Sequence, residues 1–314
     1  MIRVQNLTKW YGSHLAVDNI SFHVEEGEIV GFLGPNGAGK STTIRILTCY
    51  QPASSGSATI NGHDVFTESM AVRREIGYLP ESAPLYPEMR VFEYLTFRAK
   101  LRGLRKGERA SAVRYAAERC WVSDFIDRPI GQLSKGMKQR VGLAETLIHD
   151  PKVLIFDEPT IGLDPTQIRE TRRLLKELGQ RHTVLLSSHI LPEVEAVCDR
   201  TIIISEGRVV ASGSPEDLRK RITASSRLIA EIKGPAHEVQ RSVEGLGGVT
   251  KVEVEPVDGW NRLLIEAAKG QDVREAIFGL ARSQGWLLRE IRREIASLED
   301  FFVQITAQQA DRKK

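Results

Sequence analysis

A glycine-rich stretch near the N-terminus has residue types and a spacing that suit the binding of phosphate groups. Its residues are Gly34, Pro35, Asn36, Gly37, Ala38, Gly39, Lys40 and Ser41. Glycines let successive backbone N–H groups point toward one anion, while the lysine ammonium suits phosphates and the serine hydroxyl suits Mg²⁺. An apolar run, 28–33, precedes the stretch, and helix-compatible spacing starts at Thr42. Because strand, glycine loop and helix occur in the required order, the pattern favours a nucleotide phosphate-binding loop over a chance glycine turn.

Two adjacent carboxylates end another predicted buried strand. The apolar run 153–156 is followed directly by Asp157 and Glu158. An aspartate in this place is suited to hold Mg²⁺, as in P-loop NTPases, and Glu158 is suited to accept a proton from an attacking water. The alternative is a charge pair that merely ends a strand, and the phosphate-binding loop disfavours it. The pattern therefore predicts nucleotide hydrolysis rather than binding alone.

The segments that must position these motifs alternate between short apolar strands and helical spacing, which is typical of an α/β fold. Strands are predicted at 2–7, 16–24, 28–33, 153–157, 183–188 and 201–205, and helices at 42–48, 88–104, 108–122, 137–149, 164–179 and from 214. The second and third helices carry many basic residues, namely Arg98, Lys100, Arg102, Arg105, Lys106, Arg109, Arg114 and Arg119. Such a run is either a solvated helix face or a surface for a partner.

The last third of the chain has a different pattern of elements. Strands are predicted at 227–232, 249–255, 262–267 and 286–292, with helices at 236–246 and 272–284 and a closing helix at 298–306. This β-α-β-β-α-β order predicts a small α+β ferredoxin-like domain over 227–314, joined by a linker at 222–226. Packing or a dimer contact is favoured over ligand sensing as the role of this domain.

Length and composition narrow the class of protein. A chain of 314 residues predicts two domains, and 41% hydrophobic with 27% charged residues excludes a disordered chain. The net charge of +3 is too small to indicate a general nucleic-acid or membrane-surface binder. Cys49, Cys120 and Cys198 form no C-x-x-C pair, so we expect reduced thiols and neither a disulfide framework nor a zinc site. Apolar runs stay far below the roughly 18–20 residues of a membrane span, so we expect no membrane crossing by this chain.

The motifs together resemble one family, the ATP-binding-cassette (ABC) ATPases. The specific elements are Leu133-Ser134-Lys135-Gly136-Met137 before a helix, Gly162-Leu163-Asp164 after the acid pair, and Ser187-Ser188-His189 after the next strand. All occur in family order over about residues 1–220. The resemblance implies a P-loop NTPase fold with an ABC cassette over 1–221, and the interval between Lys40 and Asp157 leaves room for a helical subdomain at about 83–148.

The resemblance also implies roles for individual residues, with ATP and Mg²⁺ bound. The nucleotide-binding set is Tyr11, Gly34, Pro35, Asn36, Gly37, Ala38, Gly39, Lys40, Ser41, Thr42, Ser134 and Gly136. The catalytic set is Lys40, Glu81, Glu158 and His189, and the metal-binding set is Ser41, Glu81 and Asp157. Tyr11 would stack on adenine and His189 would contact the γ-phosphate; a core tyrosine and an ordinary structural histidine are the respective alternatives.

Members of the family bind ATP between two cassettes placed head to tail. The resemblance therefore implies a homodimer or a paired cassette, in which Ser134 and Gly136 of one protomer close the site of the other. Phosphate would then face a helix N-terminus. Asp164 would lie at the same interface.

Two residues depart from the family pattern. The signature is usually Leu-Ser-Gly-Gly-Gln, whereas Lys135 and Met137 stand at its third and fifth positions here. Glu81 follows Pro80 where the family usually has glutamine. Glu81 keeps an oxygen that can bind Mg²⁺ or orient water, but it adds a negative charge and lacks an amide donor. We therefore expect Glu81 to make Mg²⁺ binding stronger and more sensitive to pH.

The cassette followed by a ferredoxin-like tail, with 297–302 near its end, resembles the separate ATPase subunits of ABC-2-type exporters. Leu79-Pro80-Glu81 followed by 85–87, together with the motif at 133–137, resembles the branch that contains gliding-motility and copper-enzyme-maturation ATPases. This implies a peripheral ATPase subunit at the cytoplasmic face of the cell membrane, driving a separate transmembrane permease subunit that docks near Glu81 and the 88–120 helices. The alternatives are a soluble non-transport ABC ATPase acting on the ribosome or nucleic acid, and an importer ATPase with a regulatory domain. No stable nucleic-acid partner is expected.

Overall fold

The computed structural model describes residues 1–222, 226–268 and 271–293. The chain divides into two compact units, Met1–Pro215 and the residues from Glu216 onward. The strands of the first unit are β1 (Ile2–Tyr11), β2 (His14–Val24), β3 (Ile29–Leu33), β4 (Ser55–Ile60), β5 (His63–Asp64), β6 (Ile76–Leu79), β7 (Val153–Asp157), β8 (Thr183–Ser188), β9 (Arg200–Ser205) and β10 (Arg208–Gly213). Its helices are α1 (Lys40–Leu47), α2 (Ser69–Glu75), α3 (Val91–Leu101), α4 (Lys106–Arg119), α5 (Lys135–Leu147), α6 (Pro165–Gly179) and α7 (Leu191–Val197).

A six-stranded sheet forms the centre of the first unit, with strand order β10-β9-β3-β8-β7-β6. Neighbours from β9 to β6 run parallel, and only β10 is antiparallel. Every residue of β3, β7 and β8 is buried, which explains why 29–33 and 153–156 are continuously apolar and why β8 has the apolar residues Val184, Leu185 and Leu186 at its centre. The carboxyl ends of parallel strands meet at one edge of a sheet. The segments that follow β3, β7 and β8 are therefore brought together, and the predicted α/β class is confirmed.

An antiparallel sheet, with strand order β2-β1-β4-β5, contributes to the same hydrophobic core. Alternate side chains of its strands are buried, among them Val4 and Phe22. The ring of Phe22 lies 5.4 Å from that of Phe32 on β3, measured between centroids. Burial of such side chains contributes about 1.5–3 kcal/mol each, so these contacts firmly fix β3 and the loop that follows it.

The hairpin turn between β9 and β10 supports that loop. Glu206 and Gly207 both have positive φ, 48° and 77°, as in the tight turns that match the twist of paired strands. The Gly207 N–H donates to the Ala38 carbonyl at 3.0 Å, and the Gly207 carbonyl accepts from the Asp18 N–H at 2.8 Å. One turn thus joins the glycine-rich loop to β2.

Helices α3, α4 and α5 make contact with one another, and several of their basic side chains have partners within the protein. Arg98 forms an ion pair with Glu145, a buried carboxylate that also accepts from the Tyr94 hydroxyl. The Arg102 guanidinium donates to the Arg73 carbonyl at 2.7 Å, and Arg109 donates to the Leu104 carbonyl at 2.9 Å. These three arginines fit neither of the two expected roles, a solvated helix face or a partner surface, in full. Their side chains bind groups within the protein and so stabilise its own fold.

His149 provides a test of this packing through pH. Its Nε2 lies 2.9 Å from the Ile76 carbonyl, while burial and the nearby Arg102 charge lower the pKa of His149 to about 4. An unfolded histidine titrates near pH 6.5. The neutral imidazole therefore stabilises the fold fully above pH 6.5, and this stability is lost as the pH falls from 6.5 toward 4.

We expect the free energy of unfolding to fall by up to about 1 kcal/mol per pH unit in that window because of this side chain. The His149→Gln variant, which retains a donor for Ile76, should have a shallower slope in denaturant titrations between pH 6.5 and 4. The same substitution at His23, whose side chain is 63% exposed, is the control. Equal slopes for wild type and His149→Gln would contradict the assignment.

The second unit is described here by itself. Its elements are α8 (Pro215–Ile222, beginning at the end of the first unit), β11 (Ser226–Lys233), α9 (Ala236–Glu244), β12 (Val249–Val257), β13 (Trp260–Ala267), α10 (Arg274–Ser283) and β14 (Leu287–Arg293). The antiparallel sheet has the order β12-β13-β11-β14, and Val239 of α9 and Ile277 of α10 share its hydrophobic core. From β11 onward the elements follow a β-α-β-β-α-β order. The closing helix expected at 298–306 and residues 223–225 of the expected linker lie outside the described residues.

Candidate nucleotide-binding and hydrolysis site

The glycine-rich loop runs from the end of β3 to the start of α1. Gly39 has a φ of 105°, and a Cβ there would lie 2.6 Å from the Ala16 carbonyl oxygen. Gly37 also has a positive φ, 80°. These two positions need glycine because of backbone conformation or close approach. The loop therefore has the shape in which backbone N–H groups can surround an anion at a helix N-terminus.

Lys40 is almost completely buried, with 6% of its surface exposed. Its Nζ donates to the Gly34 carbonyl at 2.7 Å and to the Pro35 carbonyl at 3.3 Å. The same Nζ lies 3.5 Å from Oε1 of Glu158. A buried ammonium needs such partners, so the loop carbonyls and the carboxylate together stabilise the charge.

Asp157 is the last residue of β7 and is buried. Its Oδ1 accepts from the Ser187 hydroxyl at 2.6 Å and from the Ser41 hydroxyl at 3.3 Å. Carboxylate and hydroxyl oxygens are hard ligands, and Mg²⁺ is usually bound through one or two carboxylates together with water and substrate phosphates. The Ser41–Asp157 pair therefore fits a magnesium ion.

Glu158 has an unusual backbone, with a positive φ of 51°. Its N–H donates to the Ser187 hydroxyl at 3.0 Å, and its Oε2 lies 2.9 Å from Nδ1 of His189. Non-glycine residues in this region cost about 1–3 kcal/mol and persist where surrounding structure holds them. The carboxylate thus bridges Lys40 and His189.

A cleft of about 370 Å³ opens above these groups. The expected site residues that line it are Tyr11, Pro35, Asn36, Gly37, Gly39, Lys40, Ser41, Thr42, Glu81, Glu158 and His189. His14, Ala16 and Ile161 also line the cleft and were not expected from the sequence. Gly34, Ala38 and Asp157 are buried behind the lining. The order of motifs alone could not predict that His14 lines the cleft, although only one short turn separates it from Tyr11.

Tyr11 lies at the rim of this cleft and is 43% exposed, which excludes the alternative of a core tyrosine. Its hydroxyl donates to Oε1 of Gln51 at 2.7 Å, and Nζ of Lys9 lies 5.3 Å from the ring centroid. The hydrogen bond holds the ring in place while much of its surface faces solvent. Such a ring can stack on a planar group.

Ser134, Gly136 and Asp164 are brought together elsewhere, and do not line the cleft. Ser134 and Asp164 cap α5 and α6, accepting from the N–H groups of their first turns. A Cβ on Gly136 would lie 2.2 Å from Oε1 of Gln167 on α6, and one on Gly162 would lie 2.1 Å from Nζ of Lys135. The signature motif and the Gly162-Leu163-Asp164 segment therefore form one surface, at the N-termini of two helices.

Similarity to known proteins agrees with this geometry. A family model described as ABC transporter matches residues 17–161. The linearmycin resistance ATP-binding protein LnrL of Bacillus subtilis is 33% identical over 309 residues, which cover 98% of each chain. The chain belongs to the ABC ATPase family.

Two further ABC proteins extend the comparison. The Nod factor export ATP-binding protein I of Burkholderia thailandensis is 38% identical over 236 residues, covering 74% of this ABC ATPase and 77% of that protein. A dimeric ATP-binding cassette in a post-hydrolysis state with ADP and Pi matches 68% of this chain and 98% of its own, with 26% identity and a TM-score of 0.63. The predicted ABC cassette and its ATPase activity are therefore confirmed.

ABC ATP-binding subunits form dimeric cassettes and work with transmembrane partners, and this chain is such a subunit. Among the described residues of this ABC ATPase, no helix combines the length and apolar character that crossing a bilayer demands.

Proposed function

We propose that this ABC ATPase is the peripheral subunit of an ABC-2-type exporter, bound at the cytoplasmic face of the cell membrane to a separate permease subunit. Likeness to LnrL over 98% of both chains supports this proposal, because it includes the C-terminal unit as well as the cassette. The name of the Nod factor relative points in the same direction. The permease would dock near Glu81 and the 88–120 helices.

In the proposed hydrolysis of ATP, four side chains of the cleft have separate roles. Glu158 accepts a proton from water as the water oxygen attacks the γ-phosphorus and the bond to ADP breaks. His189 contacts the γ-phosphate, Tyr11 stacks on adenine, and Lys40 leaves the Gly34 carbonyl to bind phosphate oxygens. The observation that carries this assignment is the bridge from Lys40 through Glu158 to His189, with separations of 3.5 and 2.9 Å.

Magnesium is assigned to the oxygen ligands beside this bridge. Ser41 and Asp157 would hold the ion, with Glu81 from the cleft wall as a further oxygen ligand. A bound Mg²⁺ neutralises the charge that develops on the phosphate oxygens.

Two cassettes close on ATP in a head-to-tail arrangement. The second cassette is either another copy of this chain or a different, paired cassette. The surface that carries Ser134, Gly136 and Asp164 would face the cleft of the other protomer. Helix α5 has no acidic residue in its first turn and begins with Lys135, so its N-terminus favours an anion. Phosphate from the opposite protomer suits this surface.

A pull-down tests the transport assignment. The Glu158→Gln protein, which we expect to retain ATP, is mixed with native membranes and ATP, and the proteins that co-purify are identified. A polytopic membrane protein supports the exporter. Ribosomal or nucleic-acid partners without a membrane protein would overturn it and favour a non-transport ABC ATPase.

The Glu81→Gln variant tests the magnesium assignment. Glu81 is exposed, and an exposed charge contributes up to about 1 kcal/mol, so we expect the apparent Mg²⁺ affinity for ATP hydrolysis to fall about two- to fivefold. The measurement is ATPase rate against Mg²⁺ concentration between pH 6 and 8. Equal Mg²⁺ dependence of wild type and variant over this range would show that Glu81 does not bind the ion.

A further inference from the structure

The turn that begins at Glu158 makes hydrogen bonds at three successive residues, Glu158, Pro159 and Thr160, each to a different element. Ser187 at the end of β8 accepts from the Glu158 N–H. Gln139 of α5 donates from Nε2 to the Pro159 carbonyl at 3.1 Å. The Thr160 hydroxyl donates to Oε2 of Glu193 on α7. The third contact joins this turn to the helix that follows His189.

Glu193 is unusually buried for a carboxylate, since only 5% of its surface is exposed. Thr160, its hydrogen-bond donor, is 4% exposed. The charge is balanced from α6, where a terminal nitrogen of Arg172 lies 3.8 Å from Oε1 of Glu193. Glu193 also lies in the first turn of α7, where a negative charge is favourable. Buried charges are costly unless paired, so this carboxylate has a specific arrangement around it.

The position of Glu193 in the chain links it to the reacting groups. Thr160 follows Glu158 by two residues, and α7 begins two residues after His189. The segments that carry Glu158 and His189 are therefore joined twice, once by the direct contact of 2.9 Å and once through Thr160 and Glu193. Since Glu158 has a positive φ, its carboxylate depends on such contacts for its direction.

We propose that Glu193 is a positioning residue for ATP hydrolysis, which holds the turn after Glu158 against α7 and thereby keeps Glu158 aligned with His189. The inference rests on the proposed roles of Glu158 and His189. Glu193 touches neither nucleotide nor water in this scheme. Its effect passes through the Thr160 hydroxyl, so removing either partner should have the same consequence.

Kinetics of the full chain with Mg²⁺ and ATP test this proposal. We expect Thr160→Val and Glu193→Ala each to lower kcat by about 10- to 10²-fold, because misplacing a catalytic group by about 1 Å has effects of that size. The KM for ATP should stay within about twofold, since the glycine-rich loop and Lys40 are unchanged. Glu193→Gln should recover most of kcat because its amide oxygen still accepts from Thr160. The double variant should be no slower than the slower single variant.

Thr201→Val is the matched control, because Thr201 is buried and its hydroxyl has no hydrogen-bond partner within the described part of the chain. Its kcat should equal that of wild type. A wild-type kcat for Thr160→Val, while Glu158→Gln has lost turnover, would overturn the inference and leave the proposed function intact. Loss of thermal stability without a change in kcat would also overturn it. Normal turnover by Glu158→Gln would instead contradict the proposed function itself.

Discussion

Replacing Glu158 with glutamine is expected to lower the turnover of ATP by about 10²- to 10⁴-fold while ATP binding is retained, because loss of a general base has that scale. Glutamine keeps the size of the side chain and an oxygen that can contact Nδ1 of His189, which lies 2.9 Å from the carboxylate. It cannot accept a proton from water. The variant also removes the negative charge 3.5 Å from Nζ of Lys40, which frees that ammonium for phosphate.

Phosphate release and titration with a fluorescent ATP analogue measure the two properties separately. Glu170→Gln is a matched control, because Glu170 forms an ion pair with Arg140 on the side of α6 and does not line the cleft. Its turnover should match wild type. Near-normal hydrolysis by Glu158→Gln would show that another group takes the proton.

Lys40→Ala is expected to abolish ATP binding, with at least about a 10²-fold rise in Kd. Each hydrogen bond to a charged group contributes about 1.5–3 kcal/mol, and this ammonium is the buried cation of the cleft wall that the phosphates would meet. Alanine also removes the Lys40 donor from the Gly34 carbonyl and one of the two donors to the Pro35 carbonyl, which still accepts from the Ala38 N–H. Binding and hydrolysis should therefore be lost together, whereas Glu158→Gln separates them.

The control for this variant is Lys152→Ala, a lysine whose side chain is 60% exposed and which pairs with Glu75. Its titration with fluorescent ATP should superimpose on that of wild type. An unchanged Kd for Lys40→Ala would remove the phosphate-binding role from the glycine-rich loop.

The parts of the site that the sequence could predict are those in which neighbouring residues act together. The loop from Gly34 to Ser41 forms its anion site from consecutive residues, so the spacing of those residues was enough to predict phosphate binding. Asp157 is the last residue of a strand whose five residues are all buried, and Glu158 follows it. The apolar run 153–156 therefore indicated where the two carboxylates would be placed. The alternation of strands and helices predicted the α/β class for the same reason.

The parts that could not be predicted depend on contacts between distant residues. Thr160 and Glu193 are 33 positions apart, and Tyr94 and Glu145 are 51 apart. Arg98 is one of many basic residues in its helix, and composition could not show that it pairs with a buried carboxylate. The positive φ of Glu158 is similarly a result of packing, since no residue preference at that position predicts it.

The turn at Gly207 has a consequence for the order in which the protein is made. Strand β3 is placed between β8 and β9, and the Ala38 carbonyl accepts from the Gly207 N–H, so the glycine-rich loop lacks these particular supports until those later residues exist. At about 5–20 residues per second, a ribosome needs roughly 10–30 s to proceed from Lys40 to Gly207. Until β8 has been made, the nascent chain carries the apolar strand β3 without either of its neighbours in the sheet. We therefore expect the nucleotide site to be completed late in translation, after the residues of β8, β9 and the Gly207 turn have been made.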